Sequence, residues 1–503
     1  MSKYLLGIDN GSTVTKAVIF DLQGNEIGVC GSVLETDMPK PGYYERGLES
    51  IWQANVSAIR GVIETTGVDP EDILAVSLTG YGEGLNLVDE NGKPVYASVQ
   101  GTDTRAAALL EEWRKRGIAD KIQELTYLIP YAASSSLLVA WMKQNEPDEL
   151  KKARWWFNVK DYIRFRLTGN PAQEITNHAN SGFINLKEPG NDSALFELQD
   201  IEEYRKLIPP IIKSSDIAGH IDKPAASLTL LKQGTPVAAG CYDICASGLA
   251  CGLTDESRVA IIVGTWCSNE FVSREPIVSK DILVTCNYAM DDYWLVCDSS
   301  PTSASNLEWF VREFLREERK IADEKGTSVY DVCNQSVGAT TPYDTEIVFL
   351  PLLYGGYGPP PSKAAFLNLE GWHKREHIVR AIYEGICFSH KKHFTSVMRL
   401  SNETPSVARI CGGATRSDVW MQMFADIFQM PMEIISVSEP GALGSCICAA
   451  VGIGAYADFD EAVRNMVGVK KVVEPDPSVK EIYETKYKNF MKTLKTLESY
   501  QNL

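Results

Sequence analysis

Apolar residues recur along the chain with two different periods. Tyr4 to Ile8 is a short apolar run, followed by a turn rich in glycine and hydroxyl residues and a second run from Thr15 to Phe20. That pattern is the signature of a β-hairpin. Ile51 to Ile63 spaces its apolar residues at helical intervals and stops ahead of Gly67, which predicts an amphipathic helix with a glycine stop. Asp69-Pro70 then gives a helix-start signal, and Ile73 to Leu78 reads as the next strand. Such alternation of strands and helices predicts an α/β fold with a mixed sheet.

The plan recurs. Val259 to Phe271 repeats the strand, glycine-and-hydroxyl turn and strand of Leu5 to Phe20. Two such hairpins predict two similarly built lobes, 1–252 and 253–503, the boundary falling just after the glycine-rich stretch that ends in Gly252. No low-complexity segment or long charge run separates them.

Composition narrows the class. The 503 residues suit about two to four domains. The formal net charge of −17 argues against a nucleic-acid or anionic-membrane surface but not against a phosphate ligand, which is held by backbone N–H groups, hydroxyls and a metal ion. No stretch of 18 apolar residues predicts a membrane span. The N-terminus enters a strand-like run without signal-peptide character, so a cytoplasmic location is expected. The 12 cysteines lack metal or disulfide spacing and read as small core hydrophobes. His373 and His377 share a helical spacing but have no third ligand nearby in sequence, and a helix start accounts for them better than zinc.

Three segments carry candidate chemistry. In Gly7-Ile8-Asp9-Asn10-Gly11-Ser12-Thr13-Val14-Thr15-Lys16, Gly11 allows close approach of a phosphate, Ser12 and Thr13 offer donors, and Asp9 ends a strand where a carboxylate can hold hydrated Mg²⁺. An ordinary tight hairpin fits the same residues. Asp243 lies in the otherwise uncharged run PVAAGCYDICASGLACG. It reads either as a helix N-cap or as a general base near a metal, and an unpaired structural carboxylate there would be costly. In Ile410-Cys411-Gly412-Gly413-Ala414-Thr415-Arg416-Ser417-Asp418, a strand ends in two glycines ahead of a helix from Val419 to Phe428, with Ser417 or Asp418 as its cap. The glycines let a ring or phosphate lie on the backbone, although a plain strand-to-helix turn also fits.

Together, in this order, the segments resemble the FGGY carbohydrate kinases of the actin-like ATPase superfold. GIDNGSTVTKAVIFD is similar to the first phosphate hairpin, GTPVAAGCYDICASGLACG to the catalytic segment and VGTWCSN to the second phosphate hairpin. RICGGATRSDVWMQMFADIFQMPM resembles the adenosine loop, and EPGALGSCICAAVGIGAY with ADFDEAV the C-terminal helix and tail. GTW at Gly264 to Trp266, SPTSASNLEWF from Ser300 and EGICFSHKKHF from Glu384 look closest to kinases of L-xylulose-like ketoses and erythritol-like polyols.

The resemblance implies two ribonuclease-H-like lobes with central mixed sheets and an ATP cleft between them. It implies Asp243 as general base and Asp9 with Asp243 at Mg²⁺. Gly11, Ser12, Thr13, Lys16, Gly264 and Thr265 are then phosphate contacts, and Gly412, Gly413, Ala414 and Ser417 adenosine contacts. A homodimer is the assembly the family suggests. The sugar is expected against Thr79 to Gly84, where glycerol kinases carry Arg-Glu and xylulose kinases usually Met-His; here the pair is Gly82-Glu83. Tyr81, Gly82, Glu83, Tyr242, Asp243 and Trp266 are the expected substrate contacts. Gly82 leaves room, and Glu83 can accept two hydrogen bonds from hydroxyls. An anionic sugar would meet the Glu83 charge, which favours a neutral ketose, with a tetritol or other polyol as the alternative. Ile244 stands where glycerol kinases have glutamine, which puts glycerol in doubt. Asp103 and Arg105 occupy a family Asp-x-Arg element of open role. A non-catalytic sugar sensor of the same superfold would need neither Asp9 nor Asp243, and a sensor coupled to transcription would usually carry a DNA-binding helix-turn-helix.

Overall fold

The computed structural model describes residues 3–279, 282–355 and 363–501. They form two compact units. The first comprises Met1–Thr254, Val272–Val296 and Glu439–Gly468, and the second comprises Asp255–Phe271, Cys297–Ser438 and Val469–Leu503.

The first unit is built on a mixed sheet. Its strands are β1 (Tyr4–Asn10), β2 (Val14–Asp21), β3 (Glu26–Val33), β4 (Ile73–Gly80), β5 (Ile217–His220), β6 (Pro236–Ala238) and β7 (Cys241–Tyr242). The order is β5-β6-β4-β1-β2-β3, with β7 also on β4. β1, β2 and β3 are an antiparallel meander, whereas β1, β6 and β7 all run parallel to β4. The hairpin read from Tyr4 to Phe20 is β1 and β2. The helix read from Ile51 to Ile63 spans Leu48–Thr66, and Gly67 ends it in the left-handed region, its N–H bonded to the Ile63 carbonyl, the usual αL stop. Its buried face of Ile51, Trp52, Ile59 and Val62 covers β2 and β3. Asp69-Pro70 opens only a three-residue 3₁₀ turn, Pro70–Asp72, because β4 begins at once. On the other side, the helices Asp243–Ala250 and Pro440–Gly452 pack together. The small residues of the second let backbones approach closely.

The second unit repeats the plan. Five strands of its sheet are β8 (Val259–Val263), β9 (Cys267–Ser273), β10 (Ala408–Cys411), β11 (Met432–Ile435) and β12 (Val469–Val473), adjacent in the order β9-β8-β10-β11-β12. β8 and β9 form the antiparallel hairpin, and β10 and β11 continue parallel to β8. The long helix Arg375–Met398 and the helix Asp418–Phe428 pack against each other over a core that includes Ile261, Tyr383, Ile410 and Phe424.

Eleven of the twelve cysteines are buried and none is in a disulfide, Cys30 being partly exposed, as their reading as core residues requires. No helix among the described residues is long and apolar enough to cross a membrane. His373 and His377 lie at the start of the Arg375–Met398 helix and accept backbone N–H groups from Glu370 and Lys374.

Candidate active site

Parallel strands end at a common edge, and their carboxyl ends are where α/β folds bind ligands. In the first unit Thr79 is the register partner of both Asp9 and Cys241, and Gly80 that of both Asn10 and Tyr242. Asp9 at the end of β1 and Asp243 just beyond β7 therefore flank the end of β4. Asp243 is the first residue of its helix rather than the cap, and its Oδ1 accepts from the Ile244 amide at 2.8 Å. Asp9 faces the first turn of the Pro440–Gly452 helix so closely that a Cβ on Gly441 would lie 2.7 Å from Asp9 Oδ2.

The two carboxyls are poorly solvated. Burial pushes Asp9 up to about 6, helped by the Glu439 charge and opposed by Lys16. Burial and then the Asp9 charge push Asp243 up to about 8. Lys16 is committed to Glu439, with Nζ at 2.9 and 2.8 Å from its two carboxylate oxygens. Among the described residues no group of three or more His, Cys, Asp or Glu forms a metal cage. One or two hard oxygen ligands near a polyphosphate, the rest supplied by water and phosphate, are what Mg²⁺ ordinarily uses, and Asp9 and Asp243 fit that role.

The hairpin turn Gly11–Thr13 joins β1 to β2, with Ser12 and Thr13 exposed. The Arg46 guanidinium, 5% exposed, donates to the Ser12 carbonyl and to Thr36 Oγ1 and so fixes the turn from beneath. Arg46 escapes a sequence reading because it sits 34 residues away on a two-residue strand.

After β4 the chain turns through Tyr81–Gly84. Glu83 is 6% exposed with φ of 66°. Its Oε2 accepts from the Ser135 amide at 3.1 Å, so it is a buried group with one oxygen already engaged and not a solvated turn residue. Burial holds its carboxyl well above the usual range. The space expected beside Gly82 is filled: a Cβ there would lie 2.9 Å from the Tyr242 ring and from Asn180 Nδ2. Asn180 Nδ2 donates to the Tyr242 hydroxyl at 3.2 Å, and Tyr81 donates to Gln100 at 2.9 Å. Tyr131 and Tyr242 lie within electrostatic reach of both Glu83 and Asp243. Tyr131 and Asn180 carry no sequence signal of their own. Asp103 and Arg105 form a buried fork, Nε and Nη2 of Arg105 at 2.9 and 2.8 Å from the Asp103 carboxylate. Glu45 adds to it, and Asp103 accepts the Tyr44 amide. This pair braces the fold.

The second unit gathers the other expected residues at its own strand ends. Ile262 pairs with Cys411, which sets Gly264 and Thr265 beside Gly412. A Cβ on Gly412 would lie 2.5 Å from the Val263 carbonyl oxygen, and its φ is 103°. The Gly264 and Thr265 carbonyls accept the amides of Ala304 and Ser303, which steadies the turn. Trp266 is 47% exposed. Gly413, Ala414 and Ser417 lie in the 3₁₀ turn Gly413–Arg416 and at its end. Ser417, not Asp418, caps the following helix through the Trp420 amide, and its hydroxyl donates to Asn334 at 2.6 Å.

Comparison with known proteins bears on the family and the fold. The FGGY family of carbohydrate kinases matches as its N-terminal domain over residues 4–250 and as its C-terminal domain over 259–453. An L-xylulose/3-keto-L-gulonate kinase of Escherichia coli (strain K12) is 31% identical over 501 residues, covering 99% of this chain and 98% of that protein. A probable L-xylulose kinase of Pasteurella multocida is 31% identical over 497 residues, 99% of each. The crystal structure of a ligand-bound xylulose kinase from Lactobacillus acidophilus superposes with a TM-score of 0.87 at 22% identity, covering 99% of this chain and 98% of that one. The two-part fold, the ordered strand-end motifs and the full-length relatives lead to one conclusion: this chain belongs to the FGGY family of carbohydrate kinases.

Proposed function

We propose that this protein transfers the γ-phosphoryl group of ATP to a hydroxyl of a small ketose, a pentulose of the L-xylulose kind. The observation that carries the reading is the carboxyl pair at the strand ends of the first unit, with Asp243 at the head of its helix in electrostatic reach of Asp9. The full-length relatives named L-xylulose kinases support the substrate class.

In this reading the sugar lies against Tyr81, Glu83, Tyr131 and Tyr242. Its hydroxyl oxygen attacks the γ-phosphorus, the bond to the β–γ bridging oxygen breaks, and the hydroxyl proton passes to Asp243. Alcohol protons leave late in such reactions, so Asp243 chiefly orients the nucleophile. The step needs the ionised carboxylate, so it should gain as pH rises toward about 8, and that carboxylate is a stronger base than an ordinary one. Gly11, Ser12, Thr13, Gly264 and Thr265 contact phosphate oxygens through N–H and hydroxyl donors, and Gly412, Gly413, Ala414 and Ser417 hold the adenosine. Lys16 acts through Glu439. Asp9 and Asp243 would hold Mg²⁺, which would supply charge neutralisation on the polyphosphate.

The test is sugar-dependent ADP release with ATP and Mg²⁺, across ketopentoses, tetritols, larger polyols and sugar acids. Fast turnover on one ketopentose, lost in Asp243→Ala, is the expected result. Turnover only on a tetritol would move the substrate class but keep the kinase. No stimulation by any sugar, with Asp243→Ala like wild type, would leave a non-catalytic sensor as the better account.

The named second substrate of the Escherichia coli relative is a gulonate, an anion. The repulsion expected from Glu83 weakens if its buried carboxyl stays neutral, because a protonated Glu83 donates to a carboxylate instead of repelling it. A sugar acid is therefore the second substrate class to test.

A further inference from the structure

A file of buried polar groups leads away from Asp243, and the chemistry above uses none of it. The Tyr242 amide donates to Thr176 Oγ1 at 2.8 Å. The Thr176 hydroxyl donates in turn to Glu174 Oε2 at 2.8 Å. Glu174 also accepts the amides of Thr176 and Asn177 and the Ser214 hydroxyl, at 2.9, 3.2 and 2.7 Å. Lys160 lies 3.1 Å from Glu174 and 3.0 Å from Asp161, which also takes the Arg164 guanidinium. Lys160, Asp161, Arg164, Glu174 and Thr176 are all 0% exposed.

Two cations and two carboxylates without solvent are an expensive way to fill a core, and apolar residues of similar volume often fill it as well or better. The wiring suggests what the expense achieves. A hydroxyl has one proton, and that of Thr176 is committed to Glu174. Its oxygen can therefore only accept from Tyr242, and the relay has a fixed direction. Glu174 has no spare lone pair with which to let Thr176 rotate. On its other side Tyr242 is paired with Gly80 of β4, and its ring hydroxyl accepts from Asn180. The Asp243 carboxylate itself leans on a main-chain amide, that of Ile244, so its direction follows the backbone at Tyr242–Asp243.

We infer that Glu174 and Thr176 are positioning residues for Asp243, a relay that fixes the peptide on which the proton acceptor is mounted. The inference rests on Asp243 being that acceptor. A misplacement of about 1 Å at a reacting group costs on the order of 100-fold in rate, which is the scale on which a loosened peptide should register.

The experiment compares Thr176→Val, Thr176→Ala and Thr176→Ser with wild type and Asp243→Asn, on the best ketose found. Rates are expressed per nucleotide-binding site titrated in the same preparation, so misfolded protein does not count. Valine keeps the shape and removes the relay, whereas serine keeps the hydroxyl. The expected result is kcat lowered about 10- to 100-fold in the valine and alanine variants, KM for ATP within about twofold, and the serine variant within about threefold of wild type. Serine as slow as valine would mean the methyl matters and the hydroxyl does not, which overturns the relay. Valine within twofold of wild type while Asp243→Asn is inactive would overturn the relay and leave the base intact. An active Asp243→Asn would instead remove the premise.

Discussion

The two units build their sites from the same strand plan and opposite chemistry. In the first, Asp9, Glu83 and Asp243 are carboxyls that burial pushes above their ordinary range. In the second, Gly264, Thr265, Gly412, Gly413 and Ala414 offer backbone and hydroxyl groups, and the charged residues that follow Ala414 in sequence, Arg416 and Asp418, are exposed. Chemistry on a hydroxyl needs charge held where water cannot screen it. Gripping a nucleotide needs only donors and close backbone approach. In the proposed reading, one architecture serves two purposes through what is placed after its parallel strands.

If that division is real, loss of the first unit's buried carboxyls should cut turnover, and damage to the second unit's glycine turn should cut nucleotide affinity. The largest effect is expected from Asp243→Asn. Losing a positioned proton acceptor costs about 100- to 10,000-fold, so kcat for the sugar should fall on the order of 1,000-fold while ADP binding, read by calorimetry, stays within about threefold. A weak effect on kcat with lost ADP binding would reverse the assignment.

Gly412→Ala is the matching break in the second unit. The added methyl meets the Val263 carbonyl at 2.5 Å in a left-handed backbone, so β8 and β10 must part at their ends. KM for ATP should rise on the order of 10-fold, the value of one or two lost hydrogen bonds, with KM for the sugar little changed. Equal damage to both KM values would mean that the whole unit had unfolded locally.

The difference between the units also explains what could be read from the chain. Hairpins, the Leu48–Thr66 helix and the Gly412-Gly413 turn follow from local period and glycine placement, which are sequence-local properties. Asp243 stood out because a lone charge in a small-residue run is costly. Arg46, Asn180, Asn334 and Thr176 gave no signal, since each acts through a partner distant in sequence: Ser12, Tyr242, Ser417 and again Tyr242. Glu83 was legible as a site residue but not as a buried one. Burial of a turn residue is decided by what folds over it, here the Ser134–Ser136 segment that supplies the Ser135 amide. Lys16 showed its charge but not its commitment to Glu439, 423 residues away.

A smaller effect concerns stability without any ligand. Asp243 has a folded pKa of about 8 against an ordinary 3.8. Between those values the folded state holds a proton that the unfolded state has lost, so stability falls as pH rises across that window. Asp243→Asn removes the ionisation. Its Tm relative to wild type should therefore climb from pH 4 to above pH 8 and then level off, as followed by calorimetry. A flat difference would mean that Asp243 is solvated and ordinary, and the contrast between the units would lose its sharpest element.

The smallest effect, and the most specific, is expected at Glu83. Its Oε2 holds the Ser135 amide, so the proton favoured by burial resides on Oε1. At low pH that hydroxyl donates to a substrate oxygen, a carboxylate included. As pH rises toward the elevated pKa the group ionises and repels an anionic sugar while still accepting from a neutral one. The ratio of kcat/KM for a sugar acid to that for a ketopentose should then fall several-fold as pH rises through the elevated pKa, on the scale of about 1 kcal/mol for a single buried contact. Titration of Asp243 acts on both substrates alike and cancels in the ratio. Glu83→Gln cannot ionise and keeps a donor, so its ratio should not move with pH. A wild-type ratio that is equally flat would mean that Glu83 keeps one protonation state throughout, and substrate charge would have to be selected by another group.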